Sequence, residues 1–239
     1  MKRYISILLS MILAICIGIT SILPAFAEDT TPSDGSGTTQ TTEEEPDIPP
    51  EEPETGAVRM YLCATANSVT GHVWLYFENN TNKPKEIGYV TLQPGEATSV
   101  GSMRNTRSDG GGTYYNGEAY MAKDHIDKVA RHTTSIAMDL NNDQLARVNK
   151  KIKGSNLYLM VGYNCGDFAC SVWNSAARDE GKFVGHFIFP AFTILGILGK
   201  GGVKNQLKMQ PANDENIYKQ YKGGINKADP KSFRVSNIG

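Results

Sequence analysis

Hydrophobic and polar positions fall into well-separated blocks along this 239-residue chain. Behind Lys2 and Arg3 comes a long apolar run that closes on Ala25-Phe26-Ala27. Residues 1–27 therefore have the pattern of a secretory signal peptide, with small residues at the two positions a signal peptidase inspects. The same run is long enough to serve as a retained N-terminal anchor, and either way the remainder is expected outside the cytoplasm, in a secreted or cell-surface setting. No lipobox cysteine precedes Glu28. Residues 28–56 hold Thr, Ser, Pro, Gly and ten Asp or Glu, with no Lys or Arg and almost no large apolar side chain. Such a segment cannot bury enough surface to offset the entropy of ordering, so it is expected to be a disordered, extended spacer.

Folded periodicity begins after it, in residues 57–239. Val58 to Cys63 and His72 to Glu78 are β-branched and aromatic enough for strands. The polar stretch Asn79 to Pro84 turns the chain, and Glu86 to Leu92 is expected to return against His72–Glu78 as a hairpin. The polar segment from Gln93 to Glu118, with Gly110-Gly111-Gly112 and Tyr114-Tyr115, predicts a long loop of the kind that serves as a lid or contact surface. Ser135 to Leu140 predicts a further strand. Asn141 then offers an N-cap with Gln144 at the capping-box position, and Leu145, Val148 and Ile152 give the helix one apolar face. Tyr158 to Tyr163 is short and apolar. Asn164-Cys165 opens a second helix whose Phe168, Val172 and Ala176 share a side, which sets Cys165 in its first turn. Phe183 to Gly199 carries no formal charge and predicts a strand, a turn at Pro190 and a short core helix, or an apolar wall touching a membrane surface.

Charge changes the picture only once the chain is divided. The whole chain has a net charge of -1. Taking Lys2 and Arg3 from the 24 Lys and Arg, and the spacer's ten acids from the 25 Asp and Glu, leaves 22 against 15 and a net of +7 in residues 57–239. A basic exported domain favours anionic surroundings such as wall polymers or phospholipid headgroups. The basic residues are scattered, and no helix-turn-helix, zinc knuckle or aromatic-basic signature points to nucleic acid.

Three cysteines remain after residue 27, namely Cys63, Cys165 and Cys170, so at least one cannot pair within the chain. No four Cys or His stand at zinc spacing, and no cofactor is implied. At a helix start, unpaired N–H groups and the positive end of the dipole favour a thiolate, which makes Cys165 the reactive candidate. Cys170 occupies a mid-helix apolar position as a packing residue, open to a disulfide with Cys63. A nucleophilic cysteine needs a base. His72 follows Gly71 at the start of an aromatic strand, His125 and His132 lie in a polar segment suited to a solvated surface, and His186 sits among Phe183-Val184-Gly185 and Phe187-Ile188-Phe189. Spacing alone leaves the choice between His72 and His186 open.

The order Gly71-His72 plus aromatic strand, hairpin, Gly-rich loop, capped helix and then Tyr163-Asn164-Cys165-Gly166-Asp167-Phe168-Ala169 resembles the circularly permuted papain-like hydrolases. These are related to NlpC-type cell-wall peptidases and lecithin:retinol acyltransferase-like enzymes, and the resemblance covers roughly residues 70 to 200. It implies an α+β fold, with a small antiparallel sheet packed on the helix that bears the nucleophile. Cys165 would attack a carbonyl and His72 would act as base and then acid. The Cys165 backbone N–H would hold the oxyanion, with Asn164 either assisting or acting only as the helix N-cap. The family usually orients the imidazole with a third polar residue on the neighbouring strand. The hairpin register sets Thr91 opposite His72, with Tyr89 and Gln93 diagonal, and none is the His, Asp, Glu or Asn expected.

Three functions follow. The first is hydrolysis of amide bonds, with cell-wall peptides (peptidoglycan) as substrate. The second keeps the machinery for a lipid-directed thioesterase, amidase or acyltransferase, prompted by weak membrane-surface contact through Phe183–Gly199. The third is an inactive wall- or partner-binding module, prompted by the missing orienting residue and the positive charge.

Overall fold

The computed structural model describes residues 52–65, 71–103, 111–155, 164–185, 192–204 and 207–233. The chain divides into two units, Met1–Pro50 and Glu51–Gly239, and the architecture below belongs to the second. The signal peptide expected over 1–27, most of the spacer, Gly110, Tyr158–Tyr163, His186 and Pro190 lie outside the described residues.

Strands β1 (Val58–Thr65), β2 (His72–Asn79), β3 (Lys85–Ile87), β4 (Val90–Leu92), β5 (Ala97–Met103) and β6 (Gly112–Tyr115) come first. Helices α1 (Gly117–Met121) and α2 (Ile126–His132) lead into β7 (Thr133–Leu140), which is followed by α3 (Asn142–Lys153), α4 (Cys165–Ala177) and α5 (Thr193–Gly199). Short strands β8 (Val203–Lys204), β9 (Tyr218–Tyr221) and β10 (Gly224–Lys227) complete the set. The fold is α+β. Its sheet is larger than expected, with eight antiparallel strands in the order β10-β9-β6-β5-β2-β1-β7-β8.

The central strands are covered on both faces, which explains why His72–Glu78 reads as a continuous apolar run and not as an alternation. Val73, Leu75 and Phe77 join Met60, Leu62 and Ala64 in a core under α3, α4 and α5. On the other face Trp74, Tyr76 and Cys63 join Tyr114, Ala119, Val129 and Ile217 beneath α1, α2 and the C-terminal strands. Each such side chain contributes about 1.5–3 kcal/mol by leaving water, so the strands that end at the site are the most firmly held. The predicted capping box at α3 is present: Asn141 Oδ1 accepts from the Gln144 N–H at 2.8 Å and Gln144 Oε1 from the Asn141 N–H at 2.9 Å.

The expected hairpin is wrong in its second arm. Glu86–Leu92 does not return along β2; β3 and β4 pair with each other in a separate two-stranded ribbon. The reason lies in Asn79, buried at the end of β2, whose amide donates to Lys83 O and to Leu92 O at 2.9 Å each. This polar knot closes residues 80–95 into an excursion, and the chain resumes pairing where the Asn79 N–H donates to Glu96 O at 2.9 Å. The partner of β2 is therefore β5. Likewise, the segment Gln93–Glu118 is not one long loop, since it contains β5 and the fully buried β6. A lid over Gly112–Tyr115 is thus excluded.

The acidic spacer also ends sooner than residue 56. The Thr55 N–H donates to Asn82 Oδ1 at 3.0 Å and Lys85 Nζ pairs with Glu54 at 2.6 Å, tying these residues to the β2–β3 turn.

Candidate active site

Helix α4 starts where it does because of Asn164. Its backbone is extended, and its Oδ1 accepts from the N–H groups of Gly166 at 2.8 Å and Asp167 at 3.2 Å. Asp167 Oδ2 accepts from the Asn164 N–H at 2.9 Å, completing a capping box. The Phe168 N–H goes to Asn164 O at 3.0 Å. Among the first N–H groups of the helix, the one these bonds leave over is that of Cys165 itself. Cys165 is only 5% exposed, and the positive end of the helix dipole falls on its sulfur.

His72 opens β2, directly after Gly71, whose φ of 59° is a left-handed conformation open to glycine. The β2–β5 ladder runs from Glu78↔Ala97 only as far as Leu75↔Val100, so His72 sits where the two strands have parted. There its ring reaches both layers. On the α4 side it lies close enough to Cys165 for that residue to favour its protonated form, and Nε2 lies 3.1 Å from Glu118 Oε1 on the α1 side.

Glu118 is fully buried, and several features hold it. Ser99 Oγ donates to its Oε2 at 2.8 Å. Gly101 of β5 lies directly under the carboxylate, where a Cβ would overlap it. The approach is set by Asn116, the only non-glycine residue with positive φ among the described residues, at 60°. Its Oδ1 accepts from Thr98 Oγ1 at 2.9 Å and from the Ser99 N–H at 3.3 Å, and its amide donates to Asn216 O at 2.9 Å. These bonds stabilise an otherwise costly turn.

Burial alone pulls the His72 ring toward its neutral form. The Cys165 charge and hydrogen bond, followed by the Glu118 hydrogen bond and charge, outweigh it and raise the ring from 6.5 to about 10. The imidazole thus holds its proton at neutral pH, because Cys165 and Glu118 both favour its charged form. The other thiols are set apart from this pair. Burial pushes Cys170 up to about 12, and Cys63 is raised by burial and then by the Glu118 charge.

The sequence-predicted residues therefore separate. Cys165 acts on the His72 ring from the α4 side. Asn164 is the N-cap, its side-chain oxygen spent on two helix N–H groups. Thr91 is not opposite His72: it is exposed in β4, paired with Glu86, and the residue facing His72 is Thr65 of β1. The open disulfide between Cys63 and Cys170 is absent, since both are free and they belong to cores on opposite faces of the sheet. His132 is exposed, its Nδ1 2.8 Å from Lys128 O; His125 stands at the start of α2. The orienting residue missed in the sequence is Glu118. One signal was available, since it is the lone charge between Gly110 and Ala122, in a stretch otherwise suited to a core.

No protein-family model, curated protein or solved structure matches the chain.

Proposed function

We propose that this chain is an exported cysteine hydrolase of circularly permuted papain-like architecture that cleaves amide bonds, with cell-wall peptides as substrate. The observation that carries the reading is the line Cys165–His72–Glu118, a thiol at a capped helix start, an imidazole and a buried carboxylate. In the first step Cys165 Sγ bonds to the carbonyl carbon, the C–N bond breaks, and the His72 imidazolium gives its proton to the departing amine. In the second, water passes a proton to His72 and attacks the thioester, and the C–S bond breaks to release the acid. Glu118 favours the imidazolium at both ends of the cycle, and the unengaged Cys165 N–H is the oxyanion donor. Asn164 acts by holding that turn. The signal-like N-terminus and acidic spacer support an exported enzyme with reach into the wall.

The assay is release of new amino groups from peptidoglycan peptides by wild type, Cys165→Ala and His72→Gln. Wild type releases them and the variants do not; a Cys165→Ala protein as active as wild type removes the nucleophile.

A lipid-directed reading of the same pair is favoured by α5, which shares a sheet face with α4. Its Phe192, Leu195 and Leu198 are 46%, 65% and 41% exposed at spacings of three, one apolar face. Among the described residues no helix is long and apolar enough to cross a membrane, so contact would be interfacial. Co-sedimentation with liposomes that is equal for wild type and Leu195→Asp counts against this reading. A binding-only module keeps one motive, the net positive charge of residues 57–239, while Glu118 beside His72 supports the enzymatic reading.

A further inference from the structure

The Glu118 hydrogen bond holds the His72 ring at Nε2, but it leaves the ring free to turn about that contact. The backbone does little to stop this, since β5 has parted from β2 at this point and a glycine precedes the histidine. Trp74, two residues along β2, is on the same strand face. Its ring lies nearly parallel to the imidazole, with centroids 5.5 Å apart and planes 13° from each other, an offset stack. The indole is itself immobile, fully buried in the core with Tyr76 and Cys63.

Its Nε1–H has no hydrogen-bond partner among the described residues. A buried indole ordinarily satisfies that donor; here the ring face is the part that meets the site, and an electron-rich face suits a cation.

We propose that Trp74 is a positioning residue of the site, whose indole face fixes the His72 ring in the plane that joins Glu118 to Cys165. The inference rests on the reading of Cys165 and His72 as the reacting pair. The titratable groups acting on the ring are Cys165 from α4 and Glu118 from α1. Cys63 of β1, cross-strand neighbour of Trp74, has its thiol raised well above the ordinary range and stays neutral.

Tryptophan emission of the full chain tests this without substrate, because a stacked imidazolium quenches an indole. Emission of wild type rises as His72 loses its proton at about 10, and the difference from His72→Gln isolates that rise. Histidine carbon-13 NMR supplies the second readout: Trp74→Leu lowers the His72 midpoint by about one unit, whereas Trp74→Phe, which keeps an aromatic face, leaves it within a few tenths. In a hydrolase assay Trp74→Leu loses about tenfold in kcat with KM unchanged, and Trp74→Phe restores most of it. Identical emission titrations for wild type and His72→Gln overturn the proposal, as does an unmoved midpoint in a folded Trp74→Leu. Should Trp74→Leu fail to fold, the wild-type titration alone decides. Neither spectroscopic readout depends on hydrolysis, so a failed peptide assay rejects the enzyme while leaving the stacking result standing.

Discussion

Glu118→Gln removes one negative charge from the buried end of the His72 ring and keeps the shape of the side chain. A hydrogen bond to a charged group contributes about 1.5–3 kcal/mol against about 1 kcal/mol for a neutral one. The difference, about 0.5–2 kcal/mol, centres on about one pKa unit at 1.36 kcal/mol per unit. The sign follows from which form carries charge. Glu118 stabilises the protonated ring, so its loss lowers the midpoint from about 10 toward the ordinary histidine value. Cys165 raises the ring more than Glu118 does, so Cys165→Ala must lower the midpoint further than Glu118→Gln. Gly101→Ala provides an independent route, since its Cβ would overlap the carboxylate and displace it with no change of charge; it shifts the ring in the same direction. Histidine carbon-13 NMR of wild type and the three variants measures all of this, with His72→Gln assigning the resonance. An unmoved midpoint in Glu118→Gln, or a larger shift there than in Cys165→Ala, refutes the account of how the ring is charged.

Alkylation with iodoacetamide near neutral pH is expected to modify Cys165 while Cys63 and Cys170 stay unmodified in the folded chain, because burial raises Cys170 to about 12 and Cys63 well above its ordinary range; peptide mapping that finds either of them labelled as fast as Cys165 contradicts this. Asn164→Ala strands the N–H groups of Gly166 and Asp167 and is expected to cost about 1 kcal/mol in urea unfolding, with an accompanying loss of Cys165 alkylation rate; an unchanged unfolding midpoint rules out the cap as the support of this turn. If the chain hydrolyses amides, its activity falls on the alkaline side as His72 deprotonates at about 10, because the leaving amine needs that proton. A fall centred near 6.5 instead would mean that Cys165 and Glu118 do not hold the proton on the ring.

Local chemistry was legible in the sequence wherever a side chain answers a backbone need within a few residues. Asn141 with Gln144 sits at capping-box spacing, Asn164 stands at an N-cap position, and both helices begin there. The aromatic run after His72 identified a strand, although its burial on both faces is seen only in the structure. Pairing over longer distances was not legible. The polar stretch Asn79–Pro84 signals a turn, but nothing in it says whether the chain comes back at Glu86 or at Ala97. That was decided by a buried Asn79 bridging Lys83 and Leu92, a three-dimensional closure without a periodic signature. The error carried over to the site, since the register inferred for Thr91 depended on the wrong arm.

Glu118 was hidden for a related reason. It lies 46 residues from His72, and it arrives from the opposite face of the sheet to α4. A search confined to the strand beside His72 could not find it, because the orienting group is on a short helix that follows β6. What makes the arrangement workable is the parting of β2 and β5 beyond Leu75 and Val100. At a continuous ladder, a ring on the α1 face would be separated from α4 by the sheet backbone. At the end of that ladder, one imidazole can touch a carboxylate from one layer and a sulfur from the other. Gly101 contributes from β5 by leaving room for the carboxylate, and Gly71 from β2 by letting the chain turn into the strand. The charge on His72 is therefore a property of where the strands separate, and substitutions that close that gap should discharge the ring even when Cys165, His72 and Glu118 are all retained.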